Sequence, residues 1–110
     1  MADNLVELDL SRFTKSDLRK IADLGEKMRL MRRWFRHEMA RTDDGEEAHL
    51  YSGDRGPRRY AHYWIGRGRD GTYTLITGDP PEPLAEARAI DSVLDAIPQD
   101  FYYTSTSRRR

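Results

Sequence analysis

The sequence predicts an α+β domain, with a small antiparallel sheet of three or four strands carrying two helices. Three observations predict it. Leu18, Ile21, Leu24, Met28, Met31, Phe35 and Met39 recur at steps of three and four, the period of a helix. The run from about 58 to 77 places two β-rich halves around Asp70-Gly71, a favoured two-residue hairpin turn. Leu84, Ala87, Ile90, Leu94 and Ile97 then form a second helical stripe, closed by Pro98.

Each element has a local reason. Residues 1–13 hold a brief alternation around Leu5 to Leu10 and read as an arm or short strand. Thr14 with Asp17 three residues later is a capping box, and an acid in the first turn suits the helix dipole. The spacing then predicts a helix over about 15–41, ending before Thr42-Asp43-Asp44-Gly45. Gly25 inside it either weakens the helix or admits a close neighbour. Ala48 to Tyr51 reads as a short strand.

With a two-residue turn at Asp70-Gly71, Ile65 falls opposite Ile76 and Trp64 opposite Thr77. One face then carries Tyr63, Ile65, Thr74 and Ile76. The other carries Tyr60, His62, Trp64, Tyr73 and Leu75. The second helix is expected over about 83–97, followed by a short strand at Phe101 to Tyr103 and a frayed tail at 104–110.

The whole chain, 1–110, has the length of a single domain. Charged residues make up 35%, so the chain is polar, but its apolar residues are periodic, which argues against general disorder. Cysteine is absent, which removes disulfides, thiolate metal ligands and thiol nucleophiles and suits a reducing compartment. No apolar run approaches the roughly 20 residues of a membrane span, and the acidic start does not resemble a signal peptide. These features predict a cytoplasmic protein with no membrane partner.

The net charge is zero, yet the basic residues are segregated. Arg29, Arg32, Arg33 and Arg36 lie in one segment, Arg58, Arg59, Arg67 and Arg69 in another, and Arg108 to Arg110 end the chain. If the first two groups share a surface, they are candidate phosphate or nucleic-acid contacts.

No chemistry-bearing motif is complete. The histidines are His37, His49 and His62, at spacings that match no zinc pattern, and the acidic loop beside His49 lacks calcium-loop alternation. Gly66, Gly68 and Gly71 have dinucleotide-loop spacing, but they sit in a strand and turn where no helix can begin. No catalytic residue, metal ligand or cofactor contact is therefore assigned. What remains for acid–base chemistry is His62, near Tyr60 and Trp64, with Arg58, Arg59 and Arg67 in reach of an anion.

The densest stretch is Met28-Arg29-Leu30-Met31-Arg32-Arg33-Trp34-Phe35-Arg36-His37. On a helical wheel, Met28, Met31 and Phe35 face the core, Leu30 and Trp34 flank them, and the arginines form a separate ridge. A helix over about 15–41, about 40 Å long, outruns strands of about 17–20 Å. A second copy is expected to cover the excess through Leu30, Met31, Trp34 and Phe35. The overall expectation is a homodimeric binding module rather than an enzyme. The alternatives are a nucleic-acid-binding protein using the arginine ridges, and a small anion-handling or phosphodiesterase-like enzyme centred on His62.

Overall fold

The computed structural model describes residues 9–54, 60–78 and 80–102. Helix α1 spans Lys15–Leu30. Five strands follow: β1 Arg33–Thr42, β2 Gly45–Asp54, β3 Tyr60–Arg67, β4 Tyr73–Thr77 and β5 Glu82–Ala87. Helix α2 covers Ile90–Asp95, and a single 3-10 turn covers Gln99–Phe101. The strands form one antiparallel sheet in chain order, a simple meander. The fold is α+β, with five strands rather than three or four.

Helix α1 starts where the capping chemistry places it. The Asp17 N–H donates to the Thr14 hydroxyl at 3.0 Å, and the Asp17 carboxylate accepts the Thr14 N–H at 2.9 Å. Ile21, Leu24 and Met28 form its buried stripe. Gly25 is a close-approach site: a Cβ there would stand 3.1 Å from the Phe35 ring.

The helix ends eleven residues before the expected Arg41. Met31 caps it, and Arg32 adopts the left-handed conformation, φ 59°, that turns a chain out of a helix. Residues 33–42 then pair with β2 along their whole length. The helical spacing of Met31, Phe35 and Met39 was a coincidence of periods. A step of four keeps residues on one face of a strand as well as of a helix.

The late segment is corrected in the same way. Residues 82–87 pair with β4, and only Ile90–Asp95 is helical. Ala85 and Ala87 pack on the core, while Leu84 is 43% exposed. Phe101 belongs to the 3-10 turn rather than to a strand.

The β3–β4 hairpin also departs from expectation. Gly68 N–H donates to Thr72 O at 3.0 Å and Gly71 N–H to Gly68 O at 2.9 Å. Gly71 has φ 86°, and Asp70 has no positive φ. This is a three-residue loop with glycine in the left-handed position, not a two-residue turn. The register moves by one, to Ile65 opposite Leu75 and Trp64 opposite Ile76. A shift of one residue exchanges faces. Tyr73 and Leu75 therefore join Tyr63 and Ile65, and Thr74 and Ile76 join His62 and Trp64.

The core lies on the first of these faces. Ala48, Leu50, Tyr63, Ile65, Tyr73 and Leu75 from the sheet meet Ile21, Leu24 and Met28 of α1, Ile90, Val93 and Ile97 near α2, and Phe101. Residues 9–13 cross one end of the sheet. Leu10 N–H donates to Arg69 O at 3.0 Å, and Glu46 N–H to Ser11 O at 2.9 Å. The arm expected at 1–13 is thus docked where it is described, and residues 1–8 and 103–110 lie outside the described residues.

The left-handed Arg32 yields a stability test. An L-residue with a Cβ gives up about 1 kcal/mol in this conformation, and glycine gives up almost none. Arg32→Gly is expected to raise stability by about 0.5 kcal/mol after the added freedom of the unfolded chain is discounted. The check is an increase in urea midpoint at unchanged m-value.

Candidate functional site

Strand alternation puts a second set of side chains on the face away from the helices. Trp34, Arg36 and Glu38 come from β1, Glu47, His49 and Tyr51 from β2, His62 and Trp64 from β3, and Thr74 and Ile76 from β4. Both helices bury their apolar residues in the core on the opposite side. Among the described residues, no helix covers this second face.

Its middle is a row of near-parallel rings. His49 stacks with Trp64 at 5.2 Å between centroids and 15° between planes. His62 meets His49 edge to edge, with centroids 5.2 Å apart, and stacks with Tyr51 at 4.4 Å. The Arg36 guanidinium lies 5.4 Å over the Tyr51 ring and forms an ion pair with Glu38.

A hydrogen-bond chain runs through the row. His49 Nε2 is 3.0 Å from Glu47 Oε1, and His49 Nδ1 is 3.0 Å from His62 Nε2. An ionised carboxylate only accepts, so His49 Nε2 carries a proton. In neutral His49, Nδ1 is then an acceptor, and His62 Nε2 must donate to it. That leaves the lone pair of His62 Nδ1 as the outer end of the chain. The pair takes up one extra proton at His62 Nδ1 with both hydrogen bonds intact. A second would set two N–H donors against each other at this separation.

The electrostatics follow. Burial pushes the His62 imidazolium below the ordinary histidine value, the neighbouring His49 pushes it further, and Glu38 opposes both. A hollow of about 510 Å³ opens beside the row, lined by His49, His62, Trp64, Thr77, Gly78 and Pro81. A second, of about 210 Å³, opens where Gly66 has no side chain, between Glu47, Thr74 and Ile76.

The residues singled out from the sequence are distributed as follows. Arg29 pairs with Glu26 on α1 at 2.8 Å, and Arg32 is exposed in the turn. Arg33 donates to the carbonyls of Asp100 and Phe101 at 3.2 Å, on the core side. Arg36 is on the open face. Arg67 turns inward, donating to Arg12 O at 2.7 Å and Gly71 O at 3.2 Å and lying over Tyr73. Arg69 is exposed at the hairpin tip, while Arg58 and Arg59 lie outside the described residues.

The expected ridge of helix arginines is not formed, because α1 stops at Leu30 and puts Arg33 and Arg36 on opposite faces of a strand. Leu30, Met31, Trp34 and Phe35 are separated for the same reason. Leu30 is 75% exposed at the helix end, Met31 and Phe35 pack against the core, and Trp34 lies on the open face.

His62 was legible as a candidate. The roles of His49 and Tyr51 were missed, although an alternating Glu47, His49, Tyr51 run extended from Gly45 would have revealed them. Among the described residues, no group of three or more histidines and carboxylates is placed to hold a metal ion. None of the described helices is long and apolar enough to cross a membrane. No family model, curated protein or solved structure matches the chain.

The lowered His62 value fixes a pH dependence. The unfolded chain binds the proton more readily, so the contribution of neutral His62 is complete above the unfolded value, about 6.5, and declines as pH falls below it. The urea midpoint should therefore drop between pH 7 and pH 5, before most carboxylates titrate. His62→Gln should flatten that slope, and an unchanged slope would show that the imidazole pair is not its source.

Proposed function

We propose that the chain is a binding module that uses the open face of its sheet to take a flat heteroaromatic group, of the size of a nucleobase. The observation that carries this reading is the row Trp64, His49, His62 and Tyr51, with a hollow beside it. A planar ring entering that hollow extends the row, and stacking of this kind accepts many ring systems. The lone pair of His62 Nδ1 accepts a hydrogen bond from a ring amine or N–H.

Charge selects the ligand further. Glu38 and Glu47 stand on this face, and Arg36 is paired with Glu38. The surroundings favour a neutral or weakly cationic ring over a phosphate. Of the eight arginines singled out as phosphate contacts, Arg36 is the described one on this face.

Calorimetric titration with adenosine and with adenosine monophosphate tests the reading. The nucleoside should bind at least as tightly as the nucleotide, with little dependence on salt. Trp64→Ala should weaken binding by about thirtyfold, the middle of the stacking range of about 1–3 kcal/mol per base. A preference for the nucleotide with steep salt dependence would favour phosphate recognition instead. Absence of binding by any planar probe would remove the proposal.

A second reading rests on the chain Glu47–His49–His62, a carboxylate that orients one imidazole against another. Such a relay suits general acid–base catalysis on a substrate held in the adjoining hollow. Turnover of a chromogenic phosphodiester, abolished in both His62→Ala and Glu47→Gln, is the result expected from that reading.

A further inference from the structure

The two edges of the sheet are built differently. β5 is six residues long, contains Pro83, and meets β4 with a shift of register between Leu75 and Ile76. A proline and an irregular ladder are the usual devices that keep an edge from pairing. β1 has neither. It runs ten residues without proline, in unbroken register from Arg33 opposite Asp54 to Thr42 opposite Gly45. Among the described strands none pairs with its outer side. A long, even edge of this kind is a template for another strand.

The sequence of β1 is complementary to itself when reversed about His37. Arg36 and Glu38 exchange places, as do Phe35 and Met39, and Trp34 and Ala40. We propose that the outer edge of β1 pairs with β1 of a second copy, antiparallel, about a two-fold axis through His37. Arg36 then faces the partner's Glu38, Phe35 faces the partner's Met39, and Trp34 lies against the partner's Ala40. Opposite charges and an aromatic beside an aliphatic are favourable cross-strand pairs.

Other registers are worse. Strand side chains alternate, so only an axis through a residue keeps the core sides of both copies flush. An axis at Arg36 sets arginine against arginine, and one at Glu38 sets glutamate against glutamate. An axis at Met39 leaves Arg36 facing the partner's Thr42 and Glu38 facing the partner's Ala40.

Exposure agrees with the choice. Met39 is on the core side of β1 yet is 44% exposed, while Phe35 packs against the core. Pairing brings each Met39 beside the partner's Phe35. The one like-charged pair is Arg33 with the partner's Arg41. Arg33 already donates to the carbonyls of Asp100 and Phe101, and Arg41 lies 3.9 Å from Glu46. The product is a continuous sheet of both copies with the two open faces on the same side. This inference does not depend on what those faces bind.

The chain has no cysteine, so introduced cysteines report without background. Sedimentation of the wild type should give twice the 12.9 kDa chain mass. Opposed residues of an antiparallel pair have Cα atoms about 4.5–5.5 Å apart, within disulfide reach. His37→Cys should therefore cross-link under mild oxidation. At position 38 the two copies stand two residues out of register, roughly 8 Å apart, so Glu38→Cys should not.

Glu38→Arg should yield a monomer, and Arg36→Glu combined with Glu38→Arg should restore the dimer. Circular dichroism of each variant separates dissociation from unfolding, and the double exchange keeps the test decisive if the single variant unfolds. A monomeric wild type, cross-linking at 38 without 37, or failure of a folded double exchange to dimerise would overturn the inference.

Discussion

The carboxylate of Asp17 is 4% exposed, and a charge removed from water in this way costs several kcal/mol unless donors surround it. Two donors and one countercharge, from three parts of the chain, surround it. Thr14 N–H closes the capping box at 2.9 Å, Tyr73 O–H donates at 2.6 Å, and the Arg67 guanidinium stands 3.9 Å away. The start of α1 is therefore fixed over β3 and β4. Burial first, and then the bond to Asp17, push the Tyr73 phenol up to about 12, so it stays a donor throughout the neutral range. From this anchor α1 lays Ile21, Leu24 and Met28 on the sheet, and Gly25 admits the Phe35 ring. Arg67 carries the same constraint outward to Arg12 and Gly71, beside the strap at 9–13.

This arrangement commits one face of the meander to the core and leaves the other to different chemistry. Apolar and ring residues occur on both, but they are used differently. Leu50, Ile65 and Leu75 are excluded from water by α1 and α2. On the open side, His49, His62, Trp64 and Tyr51 cover one another, and His49 finds polar partners in His62 and Glu47. The Glu47 contact orients His49, so the position of the outer lone pair on His62 is set by a residue two places away from its neighbour.

Much of the fold was legible from local chemistry. Thr14 and Asp17 located the start of α1, Gly25 marked a close approach, and Gly71 marked the hairpin. What was not legible has particular causes. Arg32 carries no signal for a left-handed turn, since asparagine or glycine usually marks one. Past it, a spacing of four fits strand and helix alike, so Met31, Phe35 and Met39 could not distinguish them. Asp70-Gly71 suits two hairpin loops that differ by one residue, and that residue decides which face Leu75 occupies. The site was half visible for the same reason. His62 was found on its own strand, but its partners His49 and Tyr51 sit on β2, and only the register between strands brings them together.

The strap at one end of the sheet also gives the molecule a mechanical polarity. The backbone bonds from Leu10 to Arg69 and from Glu46 to Ser11 join the chain just before α1 to the far ends of the hairpins. Gly45, where a Cβ would stand 1.9 Å from the Arg67 carbonyl, shows how closely the chains lie there. A pull on the amino end loads those bonds before it reaches the capping box or the helix.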